Sequence, residues 1–257
     1  MSARTIAPAL KALLRGFIDY AGIFPPAKLP LDSALKNFER YAADDYSWML
    51  HLLVISQSDL QAVPPKFDQS LSVIASNDDP RAAAIESTAL VESTKPVYCE
   101  VSPANLDQLD ELKKKACFAK VRTGGIKAEL IPSPAALASF ISACAARRLA
   151  FKATAGLHHP IRAEYALTYE PDSAKAVMHG FLNVLMASAF AFHGERDIEP
   201  IISETDAAAF RFDDRACWRN LSLSEAQIVD ARKNFIHSVG SCSFEEPVAD
   251  LKKLGLL

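Results

Sequence analysis

The chain has 257 residues, half of them hydrophobic and 23% charged. This fits a soluble globular protein with a sizeable core and matches the usual length of a (β/α)8 barrel. A net charge of −3 gives no reason to expect nucleic acid or an anionic membrane as a partner. Cys99, Cys117, Cys144, Cys217 and Cys242 have no CxxC spacing, which argues against a zinc knuckle or redox pair and for reduced thiols in a cytoplasmic protein.

Met1 to Gly16 is amphipathic, with Arg4, Lys11 and Arg15, and lacks the apolar core and cleavage site of a signal peptide. Phe17 to Gly22 reads as a first strand, followed by a Pro-rich loop and a helix over Leu31 to Ala43. Trp48 to Ile55 and Leu71 to Ala75 read as the second and third strands, and Asp79 to Glu92 as a helix with Pro80 in its first turn. Pro96 to Val101 is the fourth strand, and Asn105 to Lys115 a charged amphipathic helix. The fifth strand holds Lys120, the helix after it runs from Ser133 to Arg148, and the sixth strand holds Lys152.

Ser173 to Phe192 reads as one long, nearly all-apolar helix. Its most apolar part, Gly180 to Phe192, is flanked by His179 and His193 and is too short to span a bilayer. Ile198 to Ile202 is expected as the seventh strand. Phe210 to Trp218 is expected as a hairpin turning at Asp213-Asp214. A helix over Ser222 to Asn234 carries Ser224 and Gln227 at capping-box spacing, followed by a last strand, Phe235 to Val239, and a closing helix, Glu246 to Leu254. This alternation predicts a single α/β domain over 1–257, a TIM-like barrel with a hairpin insertion near 208–220. An open doubly wound sheet is the alternative, although no GxGxxG follows the first strand.

Active-site groups of such barrels gather at the C-terminal ends of the strands. Strand alternation puts Lys120 with Arg122, Lys152 with Thr154, and Tyr98 with Glu100 on common faces; Asp19 lies in strand one. If strands four to six are neighbours, Glu100 stands beside Lys120 and Arg122, which stand beside Lys152. Three cations would then face at most two carboxylates, an excess that lowers a lysine pKa and suits an anionic ligand. The other reading is a buried charge network that fixes strand register.

Lys120-Val-Arg-Thr-Gly-Gly, 32 residues before Lys152-Ala-Thr-Ala-Gly, resembles the two-lysine pattern of class I aldolases of the deoxyribose-phosphate aldolase type. The resemblance spans about 40 residues. It implies a barrel lyase in which Lys120 forms a Schiff base with a carbonyl and Lys152 lowers its pKa. Asp19 and Glu100 would then serve acid/base and proton-relay work. Ala153 and Ala155 stand where that family has hydroxyl residues, Arg122 is an added cation, and the Leu157-His-His-Pro loop is foreign to it.

His158 and His159, in the loop after strand six, are candidate acid/base or binding groups, with at most one of the pair expected to enter a site unless the loop is sharply bent. His179 and Asn183, one helical turn apart, join them as candidate binding residues. His158 and His179 with Glu204 could instead hold a divalent metal, although no HxH or HExxH spacing supports this. Ser241 and Ser243, in the loop after the last strand, are candidate phosphate donors; Glu245 and Glu246 beside them oppose a dianion or serve the helix dipole. Gly124-Gly125 is a similar candidate or a plain turn, and Cys242 a nucleophile or a packed small residue.

The expectation is an enzyme acting on a small anionic carbonyl compound through a lysine imine, with no cofactor. A metal-dependent hydrolase or lyase built on His158 and His179, a barrel binding a phosphorylated ligand without imine chemistry, and a non-catalytic barrel are the alternatives. The apolar helix serves either a homo-oligomer interface or the barrel's outer layer.

Overall fold

A computed structural model describes residues 6–257; Arg4 of the amphipathic N-terminal segment lies outside them. Eight parallel strands close into a barrel: β1 (Ile18–Tyr20), β2 (Leu50–Ser56), β3 (Leu71–Ile74), β4 (Ala82–Ser87), β5 (Val97–Glu100), β6 (Phe118–Arg122), β7 (Phe151–Thr154) and, after a long excursion, β13 (Ile236–Ser241), which returns between β7 and β1. The predicted TIM-like barrel is the observed fold.

Two expected elements change places. Ala82–Ser87 is a strand within the segment read as a helix, and it supplies the barrel strand that had been assigned to Ile198–Ile202. Alanine has the highest helix propensity, but pairing with β3 and β5 on either side overrides that preference. Residues 199–203 form a short helix with Pro200 in its first turn, where proline's missing N–H costs nothing.

Helices α2 (Leu31–Ala42), α3 (Gln108–Lys114) and α4 (Pro134–Arg147) follow β1, β5 and β6. Between β2 and β5 no α-helix is formed, only the short 3-10 turns Leu60–Ala62 and Pro65–Phe67; Leu60, Val63, Phe67 and Val91 from these connections join the core cluster. Residues 128–147 are apolar and long enough to cross a bilayer by length and composition. In the fold, however, Leu137, Phe140, Ile141 and Cys144 of α4 are buried.

After β7 the chain makes an antiparallel hairpin, β8 (Ala163–Ala166) and β9 (Lys175–Met178), before the buried helix α5 (Phe181–Phe192). The single long helix expected over Ser173–Phe192 is thus split. Residues 175–178 pair with β8, and Gly180 starts α5 where an added Cβ would lie 2.3 Å from the Pro160 carbonyl oxygen. The carbonyls of His159 and Pro160 accept the N–H groups of Phe181 and Leu182, satisfying donors at the start of α5.

Helix α6 (Glu199–Ser203) leads to a three-stranded sheet, β10 (Phe210–Phe212), β11 (Arg215–Trp218) and β12 (Leu221–Ser224). It contains the expected hairpin with one further strand. Helix α7 (Glu225–Asn234) opens with the predicted Ser224/Gln227 capping box, and α8 (Glu245–Lys253) closes the chain. The N-terminal helix α1 (Pro8–Leu14) buries Leu10, Leu13 and Leu14 and packs with α7.

Candidate active site

Because all barrel strands are parallel, inward-pointing residues form layers. The layer nearest the strand N-termini is aromatic: the rings of Tyr98, Phe118 and His237 pack with centroids 5.0–5.8 Å apart. Tyr98 Oη bonds His237 Nδ1 at 2.7 Å. The next layer, filled by branched apolar side chains in most such barrels, is here polar: Asp19, Ser72, Glu86, Lys120, Lys152 and Ser238 are all buried.

Lys152 is fully buried and is held by Asp19 Oδ2 and, at 2.6 Å, by Glu86 Oε1. Lys120 stands 3.4 Å from Glu86 Oε2 and 3.1 Å from Glu100 Oε2. The register puts Glu100 opposite Lys120 and Lys120 opposite Lys152, as strand alternation predicts. Ser72 donates to Glu86 at 2.8 Å and Ser238 to Asp19 at 2.6 Å. A bulge between β1 and β2 sets His51 and Leu52 together opposite Asp19. His51 Nδ1 lies 2.7 Å, and the Leu52 N–H 3.2 Å, from Asp19 Oδ1.

The expected excess of cations is therefore absent. Three carboxylates, Asp19, Glu86 and Glu100, surround the two lysines. Burial alone would lower the Lys152 pKa, but Asp19 and Glu86 outweigh it and hold the ammonium above the ordinary lysine range. Burial alone would likewise raise the carboxyls of Asp19 and Glu86. Lys152, with His51 at Asp19 and Lys120 at Glu86, instead holds both below the usual carboxylate range. The layer is thus a row of ionised partners, and Lys152 is its permanent cation.

Above this row a cavity of about 550 Å³ opens at the C-terminal end of the barrel. Glu86 and Lys120 form its floor; Arg122, Thr154, His158 and His159 line its wall. Lys152 and Asp19 lie below it, and Glu100 stands beside Lys120 without lining it.

Both histidines of the loop after β7 border the cavity, as a sharply bent loop allows. The backbone bends sharply before them, with Ala155 at φ 65° and Gly156 at φ 76°. The Thr123 hydroxyl donates to the Ala155 carbonyl at 2.5 Å and fixes the bend. His159 is held by Asp250 at 2.6 Å and stacks on Tyr165. Ser241 Oγ has one proton and gives it to the Ser243 carbonyl at 2.7 Å. It therefore accepts from His158 Nδ1, 3.1 Å away, which leaves Nε2 of His158 as the acceptor. Burial, with a smaller contribution from His159, pushes His158 down to about 4, so the ring is neutral near pH 7.

Five other expected residues are committed elsewhere. His179 precedes α5 rather than lying on it, and its Nε2 bonds the Pro132 carbonyl at 2.8 Å. Asn183 donates to the carbonyls of Ile201 and Glu204 and accepts the Arg162 N–H, tying α5 to its neighbours. Ser241 and Ser243 serve the turn itself: Ser243 Oγ accepts the Glu246 N–H at 3.1 Å. Glu204 accepts from Arg219 and Trp218, so the carboxylate proposed to join His158 and His179 on a metal is already occupied. Among the described residues no group of three or more His, Cys, Asp or Glu side chains is arranged to hold a metal ion.

Cys242 Sγ lies 3.9 Å from both nitrogens of His158, equidistant and therefore in line with neither lone pair. Burial raises its thiol to about 11. It is a neutral thiol near neutral pH and not an activated nucleophile.

Sequence reasoning missed Glu86 and His51. Glu86 sits in the Ala-rich segment that reads as helix, and only the β4 register turns it inward beside Lys152. His51 faces Asp19 through a bulge that leaves no mark in the sequence. No protein-family model matches the chain, and no curated protein or solved structure matches it.

Proposed function

We propose that the chain is an enzyme acting on a small anionic carbonyl compound, a lyase of the aldol type working through an imine on Lys120. The observation that carries this reading is that Lys120 is the lysine facing the cavity, set between Glu86 and Glu100 at 3.4 and 3.1 Å. In the proposed step, Lys120 Nζ passes a proton to Glu100 and its lone pair attacks the carbonyl carbon. The carbonyl oxygen takes one proton from the attached nitrogen and the other back from Glu100, and leaves as water. The resulting iminium draws the electron pair of the adjacent carbon–carbon bond, while His158 Nε2 accepts the hydroxyl proton of the departing fragment. Lys152 remains an ammonium that holds Glu86 and Asp19 in place, a role different from the charge repulsion implied by the aldolase resemblance.

A second reading keeps Lys120 protonated. Its ammonium is then ion-paired with Glu86 at 3.4 Å and Glu100 at 3.1 Å. The ammonium would then stabilise an enolate while Glu86 or Glu100 removes the proton, with no covalent bond to the enzyme.

Borohydride reduction of the protein with a panel of small aldehydes and oxo acids, followed by peptide mass spectrometry, separates the two. An adduct on Lys120, absent from Lys152 and from Lys113 to Lys115, is expected for the imine. Failure to trap any adduct, with substrate turnover retained, leaves the enolate reading.

A further inference from the structure

We propose that the ligand of this cavity is an oxo acid carrying a carboxylate, not a phosphate, and an apolar body of aromatic or branched-alkyl size. The proposal rests on the reading of Lys120 as the group that meets the carbonyl, and it adds which molecule brings that carbonyl.

The anion partner is Arg122. It lies two residues beyond Lys120 on the same strand face and is solvent-exposed at the cavity wall. No carboxylate approaches its guanidinium within 4.0 Å among the described residues. Each lysine of the row is ion-paired with carboxylates, which leaves Arg122 as the cavity cation without a carboxylate partner among the described residues. A planar guanidinium binds a carboxylate through two parallel hydrogen bonds.

The usual place for a phosphate in such a barrel, the loop after the last strand and the start of the following helix, is closed to a dianion. Ser241 donates its hydroxyl to the Ser243 carbonyl within the turn, and Ser243 Oγ accepts the Glu246 N–H. The Glu246 carboxylate reaches the cavity, accepts the Tyr169 hydroxyl at 2.9 Å and lies 3.6 Å from His158 Nδ1. A phosphate there would face this carboxylate at close range.

Much of the remaining wall is apolar: Phe24, Pro25 and Pro26 from the loop after β1, and Leu130, Leu167 and Met178 from the loop after β6 and the β8–β9 hairpin. A three-carbon substrate would leave most of the roughly 550 Å³ in contact with water, whereas a phenyl or isobutyl group would cover this surface.

The test is calorimetric titration of the full-length protein with phenylpyruvate, 4-methyl-2-oxopentanoate, pyruvate, glyceraldehyde 3-phosphate and inorganic phosphate. Phenylpyruvate or 4-methyl-2-oxopentanoate is expected to bind at least about tenfold more tightly than pyruvate. Arg122→Gln should weaken that binding about tenfold or more, with its circular dichroism unchanged. Tighter binding of glyceraldehyde 3-phosphate, equal affinity for pyruvate and phenylpyruvate, indifference to Arg122→Gln, or no binding by any oxo acid would each overturn the proposal. Borohydride trapping in the same samples keeps the two readings apart. Binding of phenylpyruvate without a Lys120 adduct leaves this recognition standing while the imine fails; an adduct with the phosphorylated aldehyde alone does the reverse.

Discussion

Glu86 bridges the two buried lysines: its Oε1 lies 2.6 Å from Lys152 Nζ and its Oε2 3.4 Å from Lys120 Nζ. Removing one partner of a buried pair costs about 3–5 kcal/mol, because the remaining charge stays desolvated and unmatched. Glu86→Gln should therefore lower the unfolding free energy by about that much in urea denaturation. Lys152→Met should cost at least as much, since it leaves Asp19 and Glu86 without their shared cation. Adding Asp19→Asn and Glu86→Gln to Lys152→Met should recover a large part of the loss, which a simple sum of separate defects would not do.

Acid stability follows from the same row. Asp19 and Glu86 have folded-state pKa values below their unfolded ones, with Lys152 and its neighbours outweighing the effect of burial. The stability they contribute is present above the unfolded carboxylate values near about 4 and is lost as pH falls below them. Asp19→Asn should be less stable than the parent at pH 7, and its stability should fall less steeply below about pH 4. Denaturant titrations between pH 2 and 7 measure both; parallel curves for parent and variant would rule out Asp19 as an ionised partner.

The parts of this row that the sequence disclosed are those governed by local alternation. Lys120, Arg122, Lys152, Thr154 and Glu100 lie in apolar runs whose period of 2 fixes their faces, and the barrel register then brings them together. What stayed hidden depends on partners far along the chain. Ala82–Ser87 becomes a strand because β3 and β5 flank it, and its own residues favour helix as readily. Residues 175–178 leave the helix pattern because β8 offers them hydrogen bonds. Charge balance could not be read correctly either, because the count of carboxylates depended on finding Glu86.

A second pH effect arises from the buried His158 and the half-buried His237. Burial pushes His158 and His237 each to about 4, with lesser contributions from His159 and Arg232 respectively. As pH falls from about 6.5 the unfolded chain takes up these protons first, so stability drops through the window down to about 4. His158→Gln should flatten the pH dependence between about pH 6.5 and 4 and leave the fall below pH 4, due to the carboxylates, in place. A profile unchanged by the substitution would mean that the imidazole is protonated or solvated in the folded state.

The bend that presents both histidines rests on one close backbone approach, and a pair of glycine substitutions separates its two components. Gly156 has φ 76°, and a Cβ added there would lie 3.0 Å from the Cα of Gly124. Gly194 has φ 101° and nothing within 4 Å of an added Cβ. Gly194→Ala therefore reports the conformational cost alone, about 1 kcal/mol. Gly156→Ala should exceed that value, because the loops after β6 and β7 must also part. Their separation would shift His158 and His159 along the cavity wall and weaken binding of phenylpyruvate, while Gly194→Ala binds it as the parent does. Equal destabilisation by the two substitutions, with binding intact in both, would show that the contact between Gly124 and Gly156 does not hold the histidine loop.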